Sequence, residues 1–91
     1  MPYLITYDLH KTRDYRKLHE LMSTWKAVRL TESLWMANLK GPAATIRGYV
    51  AATLDNDDTI AVVQLIKGAD WATLRVKPVA SQWLSTFVTS V

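Results

Sequence analysis

No cysteine occurs in these 91 residues. That excludes a disulfide framework and any zinc site built on thiolates. Glycine occurs three times and nowhere forms a glycine-rich phosphate loop. The two histidines, His10 and His19, have no zinc-ligand spacing, and no Ser-His-Asp arrangement is legible. No apolar run approaches the roughly 20 residues needed to span a bilayer. Met1-Pro2-Tyr3 opens without a basic segment or a long apolar one, which reads against a signal peptide. The expectation is a soluble, cytoplasmic protein with no membrane partner. Internal repeats and low-complexity segments are absent as well.

What the chain has in quantity is apolar material. Hydrophobic residues make up 49% of it, and four are tryptophan. A chain this short makes one domain with a small core, often marginal as a monomer. The apolar excess therefore points to a homodimer, whose interface would resemble a core cut in half. The net charge is +3, compatible with a phosphate-rich partner such as nucleic acid. Charge is unevenly placed. Lys11, Arg13, Arg16 and Lys17 lie close to Asp8, whereas Asp55, Asp57 and Asp58 form an acidic knot mid-chain.

Strand-like and helix-like segments alternate. Tyr3 to Asp8 reads as a strand of β-favouring residues ending in a carboxylate. Thr12 can cap a following helix, with Asp14 in its first turn. Tyr15, Leu18, Leu21, Met22 and Trp25 give that helix one apolar face. Ala27 to Leu30 and Ser33 to Leu39 read as two strands joined tightly at Thr31-Glu32, or as one long bent strand. Pro42 suits the first turn of a second helix with a buried stripe of Ile46, Tyr49, Val50, Thr53 and Leu54. Thr59 to Lys67 is the strongest strand signal. After the turn at 68–70, Val79 to Phe87 reads as a short helix or an irregular arm. The order β-α-β-β-α-β predicts an α+β, ferredoxin-like antiparallel sheet with two helices on one face. Its core spans residues 3–67, and residues 68–91 form a C-terminal arm. Both sheet faces are apolar, so the face without helices needs the arm, a second copy of the chain, or both to cover it.

Several stretches together carry a resemblance. They are Tyr3 to Leu9, the Tyr/Leu-patterned helix, Thr31-Glu32-Ser33-Leu34-Trp35, Asp57-Asp58 before a hydrophobic strand, and Asp70-Trp71-Ala72. Over residues 3 to 72 the chain resembles the SinR-like small proteins. More distantly it resembles the small subunit of the CRISPR spacer-integration complex (CRISPR-associated protein two) and the virulence-associated protein D toxins. The resemblance implies a ferredoxin-like homodimer with the sheets of two protomers packed together. It also implies an Asp near the dimer axis, paired with its copy to hold a divalent metal for phosphodiester cleavage. Asp8 matches that position. Ser33 matches a small polar residue at the start of the third strand, and Arg16 or Arg13 a basic residue early in the first helix. Thr31-Glu32-Ser33 carries an acid where the CRISPR subunit has a base, which fits the SinR-like branch better.

The residues themselves allow specific chemistry. Asp8 can ligate Mg2+ or Mn2+, which bind through one or two carboxylates plus substrate phosphate. Equally, it can accept backbone N–H groups in the loop that follows. His10, two residues on, is a candidate general base for a metal-bound water. Lys11, Arg13, Arg16 and Lys17 can cradle phosphate near a helix start, or form a solvated helix face. The four tryptophans suit packing better than base stacking. Asp55-Asn56-Asp57-Asp58 lacks the glycine and distal glutamate of a calcium loop and reads as a turn. Two functional classes follow: a nucleic-acid-associated, metal-dependent endonuclease, or a non-catalytic module acting on a protein partner as adaptor, antitoxin or inhibitor.

Overall fold

A computed structural model describes residues 1–8 and 15–89. Among the described residues four strands and three helices follow in the order β1 (Pro2–Asp8), α1 (Arg16–Thr24), β2 (Val28–Thr31), β3 (Leu34–Asn38), α2 (Ala43–Ala51), β4 (Thr59–Gln64) and α3 (Pro78–Phe87). The strands form one sheet in the order β2-β3-β1-β4, every neighbouring pair antiparallel. This α+β architecture is compatible with a ferredoxin-like arrangement and adds a third helix to the βαββαβ series.

The period-two pattern of β1 explains the layering. Tyr3, Ile5 and Tyr7 point to one face and are buried against Leu18 and Met22 of α1 and Ile46 and Val50 of α2. Leu4 points the other way with its register partner Met36. There α3 brings Ala80, Trp83 and Leu84, while Val28 and Leu30 of β2 close the cluster. The segment expected as a helix or an arm is therefore a helix, and it covers the second face over β2, β3 and part of β1. Its cover does not reach all of β4, where Val63 stays 52% exposed.

Local chemistry sets the element ends. Lys26 takes a left-handed backbone (φ 54°) after α1. Its N–H donates to the Ser23 carbonyl at 3.0 Å, and the Ala27 N–H donates to the Met22 carbonyl at 2.9 Å. This is a Schellman closure, and it turns the chain directly into β2. Gly41 has φ 97°, a backbone that a side chain would strain. The hydroxyl of Tyr3 donates to its carbonyl, tying the entry of α2 to β1.

Several expected boundaries shift. The helix expected after Thr12 begins at Arg16, and Thr12 and Asp14 lie outside the described residues. Two separate strands form rather than one bent strand, but the turn falls at Glu32 and Ser33, one residue late. Pro42 sits just before α2 rather than inside it. Tyr49 is 61% exposed, whereas Ile46 and Val50 are the buried residues of α2. The last strand stops at Gln64, short of Lys67, and Ile66 projects outward. The Leu65 N–H still donates to the Pro2 carbonyl at 2.8 Å before the chain leaves the sheet. Among the described residues no helix is long and apolar enough to cross a membrane.

Candidate functional site

An open groove of about 830 Å³ lies where β1 ends, between α1 and the β2–β3 turn. Its lining brings together residues that are far apart in sequence. Asp8 enters from the end of β1, Arg16 and His19 from α1, and Arg29 from β2. Glu32 and Ser33 enter from the turn. Asp8 is exposed there. The Tyr7 N–H donates to the Ser33 carbonyl at 3.3 Å, so the turn and the Asp8 end of β1 are held together by backbone.

Tyr7 forms the floor. Its hydroxyl oxygen accepts the Trp35 indole N–H at 2.9 Å and an Arg29 guanidinium N–H at 3.4 Å. With two hydrogen bonds accepted, the phenol has its own O–H left to donate. No described residue accepts that proton, and Tyr7 is otherwise nearly buried. The Arg29 guanidinium also lies over the Trp35 ring, 4.9 Å from its centroid, a cation–π arrangement. The His19 ring packs against the same tryptophan at 6.2 Å. Trp35 is thus both a core side chain and the surface on which a cation is held.

The sequence-predicted residues divide. Asp8, Arg16 and Ser33 share the groove. Lys17 does not line it; it lines a smaller hollow with residues 52–55 at the end of α2. Arg16 and Glu20 stand on the ridge between the two and reach both. Of the two bases of the expected cradle that are described, Arg16 lines both hollows and Lys17 only the second. His10, Lys11 and Arg13 lie outside the described residues. Sequence reasoning missed Tyr7 and Arg29. An arginine between Val28 and Leu30 in a short strand was the one available signal for Arg29. Nothing in the pattern distinguished the Tyr7 hydroxyl from an ordinary core tyrosine.

Two places merit comparison as metal sites. Asp55, Asp57 and Asp58 have carboxylate oxygens within 4.8 Å of one another and could hold an ion, although exposed acidic groups are common without one. Part of their arrangement is structural. The Asp58 carboxylate accepts the Asp55 N–H at 3.0 Å, and the Tyr15 hydroxyl lies 3.3 Å from it. Asp8 belongs to no such trio among the described residues. A cation at Asp8 would take one carboxylate from there and its other ligands from water and a phosphate. Mg2+ accepts such a set. Searched against known families and curated proteins, the chain matches no family model and no curated sequence.

Proposed function

We propose that this chain is a homodimeric nucleic-acid-associated protein and a metal-dependent endonuclease. In this reading it is a SinR-like member of the CRISPR-associated protein two and virulence-associated protein D superfamily, with a ferredoxin-like core. One observation carries the proposal: Asp8 opens onto the same groove as the guanidinium groups of Arg16 and Arg29. A carboxylate suits a cation, and guanidinium groups suit phosphate oxygens. A ligand that combines a divalent ion with a phosphate would use both.

Each residue takes a role. Asp8 would hold Mg2+ or Mn2+, an ion that would supply Lewis-acid activation of water and phosphate. Arg29, held over Trp35 and against Tyr7, neutralises a non-bridging phosphate oxygen, and Arg16 does so from the opposite wall. The Tyr7 O–H donates to the same group. In hydrolysis the water oxygen bonds to phosphorus, one P–O ester bond breaks, and the departing oxygen takes up a proton. His19 and His10 are the candidate carriers of the proton taken from water.

The second reading, a non-catalytic module with a protein partner, draws on the acids Glu20 and Glu32. With Asp8 they give the groove three carboxylates against two guanidinium groups. That balance suits a mixed-charge protein surface. Incubation with single-stranded RNA and duplex DNA, with and without Mn2+, separates the readings. Cleavage that needs the ion and falls by at least about a hundredfold in Asp8→Ala supports the nuclease. Cleavage unchanged in Asp8→Ala would place the chemistry elsewhere, and absence of cleavage with intact binding to a protein would favour the module.

A further inference from the structure

Arg29 is fixed from two sides. Its guanidinium lies 4.9 Å from the Trp35 ring centroid and donates to the Tyr7 hydroxyl oxygen at 3.4 Å. Among the described residues it forms no ion pair, although Asp8, Glu20 and Glu32 line the same groove. A guanidinium carries several N–H donors and accepts nothing. Tyr7 takes one of them, and the others have no described acceptor.

Tyr7 adds a second donor beside it. The residue is only 6% exposed, yet it lines the groove. Its oxygen accepts from Trp35 and from Arg29. Neither of those groups can receive a proton in return, because indole and guanidinium only donate. A charged donor and a neutral one therefore stand side by side at the groove without a described acceptor. Their complement is a group that only accepts, an oxyanion.

Size and charge narrow the oxyanion further. The groove encloses about 830 Å³, within the range of roughly 300–1,000 Å³ that suits one small molecule. A track for a continuing strand spans about four nucleotides or more and is basic along its length. Here Asp8, Glu20 and Glu32 stand among the lining residues with Arg16 and Arg29. Carboxylates repel a second phosphate, but they accept hydrogen bonds from sugar hydroxyls.

We infer that the groove takes a terminal phosphate, the monoester of a single nucleotide unit, held by Arg29 and Tyr7 without the ion. Such a group occurs on a free nucleoside monophosphate and at a phosphorylated strand end. The inference rests on the phosphate reading of the groove in the proposed function and narrows its substrate class. A monoester offers an additional non-bridging oxygen and up to about one more negative charge than an internal diester. Both strengthen charge-assisted hydrogen bonds. Diester hydrolysis creates a terminal phosphate, so the proposed nuclease would bind its own product.

Isothermal titration calorimetry of the full chain in EDTA at low salt tests this. The probes are adenosine 5′-monophosphate, adenosine, and one single-stranded oligonucleotide with and without a 5′-phosphate. The nucleotide and the phosphorylated strand should bind, at least about tenfold tighter than their counterparts without the terminal phosphate. Binding of only one of the two phosphorylated probes supports the inference and identifies the source of the phosphate. Arg29→Ala and Arg29→Lys should each weaken binding at least about tenfold, because lysine keeps the charge but not the planar fork. Arg29 is exposed, so neither change disturbs the core. Tyr7→Phe should weaken binding about tenfold through loss of a hydrogen bond to a charged group. If that variant does not fold, the Arg29 pair decides. Failure of both phosphorylated probes to bind, or binding indifferent to both Arg29 variants, overturns the inference. An oligonucleotide bound equally with and without its 5′-phosphate overturns the terminal class and leaves the phosphate reading standing. Cleavage without nucleotide binding overturns this inference alone, and nucleotide binding without cleavage overturns the nuclease alone.

Discussion

The two sides of β1 have been put to different uses. Tyr3, Ile5 and Tyr7 face α1 and α2 and are sealed, none more than 6% exposed. Leu4 and Thr6 face the side that α3 covers only in part and are half-buried, and Asp8, at the strand's end, is open and lines the groove with α1. Two helices on one side and one on the other account for the difference between the sealed and the half-buried residues. One strand therefore ends in a pair of neighbours with opposite character. Tyr7 is an anchored phenol beneath a stacked arginine, and Asp8 is a solvent-facing carboxylate. Burial makes the first a structural fixture that also presents a donor. Exposure leaves the second free for a ligand at little cost to the fold.

Breaking the half-covered side should have the largest effect on stability. Trp83 is the main α3 side chain in that cluster, packed on Phe87 at 4.9 Å. Trp83→Ala should cost about 3–5 kcal/mol in chemical denaturation. A loss under about 1 kcal/mol would mean that α3 is a loosely attached arm. Tyr7→Phe probes the sealed side at the groove. It should cost about 1–3 kcal/mol, because the Trp35 indole N–H loses its acceptor. It should also shift the indole N–H resonance of Trp35. A neutral result would show that solvent replaces the phenol there. Smaller still is Gly48→Ala on the exposed side of α2, where an added Cβ meets nothing within 4 Å. Helix propensity alone predicts a gain of up to about 1 kcal/mol. Asp8→Ala should lie within about 0.5 kcal/mol of wild type, as an exposed residue away from the core usually does.

Much of this comparison was readable from residue order. The period-two run of β1 announced its two faces, and Leu18 with Met22 announced the buried face of α1. Val79 to Phe87 reads from sequence as a short helix or an irregular arm, and the helix-free sheet face as one that this arm or a second copy must cover. Other features depended on contacts between distant segments. The Tyr7 hydroxyl acquires meaning only when β2 and β3 bring Arg29 and Trp35 to it, across more than 20 positions. Tyr49 was misread because a helix lying on a sheet buries a narrower stripe than its periodicity offers. The spread of bases from Lys11 to Lys17 looked like one cluster. On a helix, Arg16 and Lys17 point about 100° apart; Arg16 reaches both hollows and Lys17 only the smaller one. Asp8 was legible as a candidate from its place at a strand end. Its arginine companion from β2 was not.

The central claim is that Asp8, at the exposed end of β1, holds the ion at the groove, and that Tyr7 beside it fixes Arg29 there. Cleavage of RNA and DNA by the folded Asp8→Ala chain, measured beside its thermal stability across a Mn2+ titration, tests this most directly. The account predicts an unchanged melting curve, loss of the ion-dependent rise seen in the wild type, and cleavage reduced at least about a hundredfold. Wild-type cleavage and ion response in the folded variant would contradict it.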